Sequence, residues 1–211
     1  MNRMREVFTP IYQHKLWGTE DASGTGSTLA QTAAIREQLP EVFKKLGIRT
    51  VLDIPCGTHN WWAHMDAQYN LGIHYIGGDV VPEMIAENKM IYPTTEFRVL
   101  DITKDELPEV DAIFVRDLLG HFSNQDISRA LDNIVKANPK YLITTTFPGV
   151  AINNDINTGE WRRVNIALLQ GQYRLRSIVL MDEKLLDENG KNVGKKLGIY
   201  ELRERHISAN S

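Results

Sequence analysis

The 211-residue sequence contains one cysteine, Cys56, which excludes an internal disulfide framework and a cysteine-rich zinc site. No apolar run approaches the roughly 20 residues that a membrane-spanning helix requires. The basic start MNRMREVFTP is not followed by the apolar core of a secretory signal. Net charge is only −3, so no bulk positive excess points to nucleic acid or to an anionic membrane surface. Internal repeats and low-complexity tracts are missing. These absences make a cytoplasmic location the expectation, with neither nucleic acid nor membrane as partner. What is present is ordinary globular composition, 42% hydrophobic and 24% charged. The length suits one domain over residues 1–211 with a sizeable core.

Patterning along the chain predicts alternating strands and helices. Phe8, Ile11, Tyr12, Leu16 and Trp17 suggest a short N-terminal helix or lid within residues 1–28, and GTEDASGTGST marks a mobile loop after it. Leu29, Ala33, Arg36, Leu39, Phe43 and Leu46 recur at helical spacing, with Pro40 expected to kink or divide that helix. Strands are expected at 50–54, 74–78, 96–100, 111–115 and 141–146, with helices between them. Apolar, β-branched strands alternating with helices argue for a parallel sheet covered on both faces. Two further strands, 177–181 and 196–202, are joined by the turn segment DENGKN and read as an antiparallel hairpin at the sheet edge. Between the two parts lies a polar insert, residues 148–175.

Ligands of open α/β sheets sit beyond the carboxyl ends of the strands. Four expected strands end at Asp53, Asp79, Asp101 and Asp117. A dinucleotide site would require G-x-G-x-x-G, because a pyrophosphate needs bare backbone at a helix N-terminus. The loop after Asp53 reads PCGTHNWW, with a single glycine, Gly57. That pattern is poor for a pyrophosphate and adequate for a phosphate-free nucleoside carrying an amino acid. S-adenosylmethionine is such a ligand, and its positive sulfonium and amino groups suit the acids. Asp79 is placed to accept from ribose hydroxyls and Asp101 from an adenine amino group, with Ile102 packing on the base.

The segments LDIPCG, YIGGD, FRVLDIT and DAIFVRD, in this order, resemble the class I S-adenosylmethionine-dependent methyltransferases over roughly residues 24–147. Ser23-Gly24-Thr25-Gly26-Ser27 and Arg116 to His121 are similar to motifs of a bacterial small-molecule group within that superfamily. The resemblance implies a Rossmann-like α/β fold with a mostly parallel seven-stranded sheet. It also implies cofactor contacts from Asp53, Gly57, Asp79, Asp101 and Arg116, with Ser27 and Arg36 meeting the methionine carboxylate. Cys56, Val80 and Trp62 flank these positions and are expected beside the cofactor, Cys56 as a small packing residue. Trp17 is a candidate for closing over the sulfonium, since aromatic faces suit cations. Thr58-His59 departs from the family's usual acidic–aromatic pair, which makes His59 a candidate acceptor contact.

Methyl transfer is an in-line displacement that needs alignment and exclusion of water, not a protein nucleophile. The tetrapeptide of amino-methylating nucleic-acid enzymes, an asparagine or aspartate followed by Pro-Pro-aromatic, is missing after the fourth strand, where Arg116-Asp117-Leu118-Leu119 stands. His121 follows Asp117 by four positions. A helical turn would let Asp117 orient the imidazole as a base toward an acceptor hydroxyl. Within the insert, Trp161 and Arg162 are candidate substrate contacts, and Arg162 and Arg163 suit a carboxylate, phosphate or sugar acid. No metal-ligand pattern is identified, and the N-D-x-N run lacks the spacing of a calcium loop. The expected function is O-methylation of a small-molecule acceptor by a monomer or homodimer. Alternatives are an enzyme that consumes S-adenosylmethionine by intramolecular cyclisation, and a non-catalytic binding protein; an NAD-dependent oxidoreductase is disfavoured by the lone glycine.

Overall fold

The computed structural model describes residues 3–18, 21–186 and 188–203. Residues 19–20 of the expected mobile loop and Asp187 of the expected hairpin turn lie outside the described residues. In chain order the elements are α1 (Arg3–Gln13), α2 (Leu29–Leu46), β1 (Thr50–Asp53), α3 (Asn60–Tyr69), β2 (His74–Asp79) and α4 (Pro82–Ile91). There follow β3 (Glu96–Val99), β4 (Ala112–Val115), α5 (Asn124–Ala137), β5 (Tyr141–Thr146), the short α6 (Gln170–Tyr173), β6 (Leu175–Asp182) and β7 (Lys196–Leu202). One seven-stranded sheet runs in the order β3-β2-β1-β4-β5-β7-β6. The first five strands are parallel; β7 pairs antiparallel with both β5 and β6.

Alternation within the strands divides the core into two layers. Leu52, Ile76, Ile113, Val115 and Leu142 face one layer, closed by α5 through Ile127, Leu131 and Ile134. Val51, Tyr75, Ala112, Phe114 and Ile143 face the other, closed by Ile35, Leu39 and Phe43 of α2 and by Trp61, Trp62 and Met65 of α3. Both faces are apolar, as a parallel sheet requires.

Local chemistry sets the helix ends. Thr28 Oγ1 accepts from Gln31 N and Gly47 closes α2 at φ 67°. Ser123 Oγ accepts from Asp126 N at the start of α5. Pro40 does not divide α2, which is continuous from Leu29 to Leu46. The face carrying Ile35, Leu39 and Phe43 is fully packed on both sides of the proline, so tertiary burial outweighs one missing helical hydrogen bond. The insert after β5 is anchored on the core at one point: Val164 and Ile166 are buried, and Phe147 N donates to the Val164 carbonyl.

Candidate active site

A cavity of about 620 Å³ opens at the carboxyl ends of the parallel strands. Four of its acids, Asp53, Asp79, Asp101 and Asp117, stand at or just beyond the ends of β1, β2, β3 and β4. Asp53, Cys56, Gly57, Asp79, Val80, Asp101, Ile102, Arg116, Asp117 and His121 all line it, as do Trp17 and Ser27. Phe8, Tyr12 and Trp17 cover it from the N-terminal segment.

The loop after β1 answers the phosphate question directly. Gly57 has φ 53°, the left-handed conformation that favours glycine, and a Cβ there would lie 2.6 Å from Ser23 Cβ. Its N–H is already given to Asp79 Oδ2 at 3.3 Å, and the Thr58 N–H to Ser23 Oγ at 3.3 Å. A buried Asp21 accepts from Thr58 Oγ1 and from the Ser23 amide and hydroxyl, holding the N-terminal loop on this turn. No run of free amides is left for a pyrophosphate.

The donor set is instead rich in acceptors. Asp53 is buried and takes the Tyr75 hydroxyl at 2.8 Å; burial pushes its pKa up to about 8 against the pull of Tyr75 and Arg116. Burial likewise raises Asp79 to about 6, opposed by the amides of Val81 and Gly57. Asp101 accepts from the Thr103 amide at 3.0 Å and hydroxyl at 2.6 Å. Three carboxyls on one half of the cavity suit a ligand carrying hydroxyls, amines and positive charge.

Asp117 and His121 both face the cavity but do not form the expected pair. Asp117 has φ 57° and a 3-10 turn follows at Leu119–His121, so the two residues do not share a helical face. Asp117 is held by Lys195 Nζ at 2.6 Å, Thr145 Oγ1 at 3.1 Å and Arg116 Nη1 at 3.3 Å. Burial pushes its pKa up, but Arg116 and Lys195 outweigh it and hold the carboxylate well below the usual range. His121 Nδ1 instead lies 2.9 Å from the Glu160 carbonyl. A carbonyl only accepts, so Nδ1 carries the proton and Nε2 is left as the acceptor. The ring stacks on Trp17 with centroids 4.4 Å apart. Burial lowers its pKa, favouring the neutral base.

Four other expected site residues lie elsewhere. Arg36 folds back along α2, donating to Thr32 Oγ1 and to the Leu29 carbonyl. Trp62 is buried against Phe43, Tyr75 and Phe114, and Trp61 is the one that reaches the cavity. His59 is buried among Tyr75, Tyr92 and Phe97, and burial lowers its pKa to about 4. Arg162 donates to Asn124 Oδ1 at 2.6 Å and to the Phe122 carbonyl, away from the cavity; Trp161 and Arg163 line it instead.

Sequence reasoning missed Glu183 and Lys195, contributed by the end of β6 and the turn before β7. Glu183 is fully buried and takes Arg116 Nη2 at 2.6 Å and Lys195 Nζ at 3.3 Å. Arg116 Nη1 also donates to the Gly26 carbonyl at 2.8 Å. The ion network thereby ties hairpin, β4 end and N-terminal loop together.

Residues 51–138, from β1 to the end of α5, match the family model described as "Methyltransferase domain". Among solved structures, human N-acetylserotonin methyltransferase in complex with SAM is similar at TM-score 0.63 and 15% identity, over 96% of this chain and 61% of that one. This chain therefore spans about three fifths of the human protein's length. Magnesium protoporphyrin IX methyltransferase from Synechocystis PCC 6803 with bound SAM gives TM-score 0.61 at 11% identity, over 96% and 99% of the two chains. The 1,6-didemethyltoxoflavin-N1-methyltransferase of Burkholderia thailandensis gives 0.62 at 13%, over 95% and 88%. At these identities the likeness is one of fold, and the fold is that of the class I methyltransferases. No curated protein matches the sequence.

Proposed function

We infer that this methyltransferase domain takes the methyl group of S-adenosylmethionine and places it on an oxygen of a small-molecule acceptor. The observation that carries this reading is the meeting, in one cavity, of strand-end carboxyls and a histidine whose tautomer leaves Nε2 as a base. The names of the similar structures support a small-molecule acceptor, since N-acetylserotonin, magnesium protoporphyrin IX and 1,6-didemethyltoxoflavin are all small.

When bound, S-adenosylmethionine supplies a methyl already made electrophilic by its sulfonium. The residues present fit such a ligand: Asp79 and Asp101 accept from hydroxyl and amino groups, Ile102 offers an apolar surface for the base, and no phosphate cradle competes. Phe8, Tyr12 and Trp17 exclude water from above. His121 Nε2 takes the acceptor's proton, and the Glu160 carbonyl stabilises the imidazolium that results by keeping the Nδ1–H bond.

The test is calorimetric titration with S-adenosylmethionine and, separately, with NAD, followed by mass spectrometry of reactions containing phenolic acceptors. Binding of S-adenosylmethionine alone with a 14-dalton gain on an acceptor (the mass of CH₂, about 14) is the expected result. Breakdown of the cofactor to methylthioadenosine without acceptor would replace this reading with the cyclisation chemistry.

A further inference from the structure

The second half of the cavity carries a different chemistry from the first. Asp53, Asp79 and Asp101 follow β1, β2 and β3, on one side of the sheet order; the segment after β5 walls the other side. That segment is fixed, not mobile. Gly159 N donates to the His121 carbonyl at 2.8 Å, Arg162 N to the Gly120 carbonyl at 2.9 Å, and the Glu160 carbonyl holds His121 Nδ1. Gly120 permits this approach, since a Cβ there would lie 2.8 Å from the Arg162 carbonyl oxygen.

Side chains alternate along this stretch. Arg162 and Val164 turn away, Arg162 to the Phe122 carbonyl and Val164 into the core. Trp161 and Arg163 therefore turn together into the cavity. Trp161 stands edge-on to Phe147 with centroids 6.3 Å apart, and the Arg163 guanidinium lies 5.6 Å over the Phe147 ring. Trp161 is 58% exposed, an unusual degree for a large aromatic ring on a fixed wall.

Among the cations lining the cavity, Arg116 and Lys195 are neutralised by Glu183 and Asp117. Arg163 has no acidic partner among the described residues; its only charge-related contact is the Phe147 face. The Glu160 carboxylate nearby is engaged by the Asn157 amide at 2.9 Å. An aromatic wall beside an uncommitted guanidinium is the arrangement that recognises a flat molecule bearing a carboxylate. We propose that the acceptor is a planar aromatic carboxylic acid, its ring on Trp161 and Phe147 and its carboxylate on Arg163. The proposal rests on the reading of this cavity as a methyl-transfer site. It also accounts for polarity: the acceptor's anion sits at the far end from the three strand-end acids, and its hydroxyl reaches His121, whose Nδ1 is held one residue before Trp161.

The test uses 4-hydroxycinnamic acid and its neutral amide, 4-hydroxycinnamamide, titrated calorimetrically into the protein with and without saturating S-adenosylhomocysteine. The expected result is acid binding about tenfold or more tighter than amide, as for loss of a charge-assisted fork. Arg163→Gln should erase that ratio while leaving S-adenosylhomocysteine affinity and the melting temperature unchanged. Equal affinities for acid and amide, binding of neither, or a ratio that survives in R163Q would each overturn the proposal. The S-adenosylhomocysteine titration by itself reads the methyl-transfer assignment, so the two can fail separately.

Discussion

Lys195 Nζ lies 2.6 Å from Asp117 Oδ2 and 3.3 Å from Glu183 Oε2, so one ammonium from the C-terminal hairpin serves two carboxylates that Arg116 also contacts. Two cations and two anions close on each other beneath the cavity. Such a network is weak evidence of net stabilisation, but removing one member leaves a buried charge uncompensated.

Lys195→Met therefore destabilises the protein by about 3 kcal/mol, the order found when one partner of a buried ion pair is deleted. Equilibrium urea unfolding checks this. The loss should be smaller in the double variant K195M/E183Q, because Glu183 is fully buried and its charge is what the single variant strands. Equal losses in both would mean that the lysine acts through packing alone.

Stability should fall between pH 6.5 and 8, and Asp53 is the cause. Its pKa is raised in the folded protein to about 8 from an ordinary 3.8, so the folded state holds a proton that the unfolded chain has released. Such a group stabilises fully below its unfolded pKa and ceases to as pH rises through its folded one. His59 works in the opposite direction, depressed to about 4, but it is neutral in both states above pH 6.5 and is silent in this window. Asp79, raised to about 6, has largely finished by then. Asp53→Asn keeps an acceptor for the Tyr75 hydroxyl and cannot ionise. Urea midpoints of this variant should be flat from pH 6.5 to 8 where those of the natural protein decline.

Gly57→Ala tests the turn proposed to meet S-adenosylmethionine. At φ 53° a non-glycine residue costs roughly 1–2 kcal/mol, and the new methyl would lie 2.6 Å from Ser23 Cβ, displacing the N-terminal loop. Affinity for S-adenosylmethionine should drop by about tenfold or more, a loss of order 1.4 kcal/mol. Calorimetry of G57A beside Gly47→Ala separates the two effects: Gly47 is also left-handed, at φ 67°, but has open space where a Cβ would stand. G47A should lose stability without losing cofactor affinity.

The strand-end acids were legible because each follows a short apolar run, and a parallel sheet turns that linear pattern into one rim. The hairpin was legible from its turn residues, and the helix start at Ser123 from its cap. What escaped the sequence depended on contacts across long separations or on orientation. Glu183 lies more than sixty positions from Arg116, and Lys195 more than sixty from Asp117; each pair meets only because β7 inserts beside β5. Arg162 and Arg163 are adjacent, so only the alternation of an extended segment decides which faces the cavity. His59 sat beside the right turn, but its left-handed backbone, φ 60°, sends the ring among Tyr75, Tyr92 and Phe97. The His121 partner was misjudged because a positive φ at Asp117 interrupts the helical turn that i,i+4 spacing presumes.

His121 bears the strongest test of the chemistry. With Nδ1 proton-bearing toward Glu160 and a pKa lowered by burial, Nε2 is unprotonated throughout the neutral range. Turnover of a phenolic acceptor should therefore be level around pH 7 and fall on the acid side, below the ordinary histidine value, as the imidazole gains its second proton. His121→Phe retains a ring to stack on Trp17 and removes the base. It should lower turnover by about 100-fold or more, within the range that general-base removal produces, and abolish the acid limb. S-adenosylmethionine affinity should stay close to that of the natural protein, since the stacked cover over the cavity is kept. Undiminished turnover in H121F, with the acid limb intact, would assign the proton to another group and leave His121 as a wall of the lid.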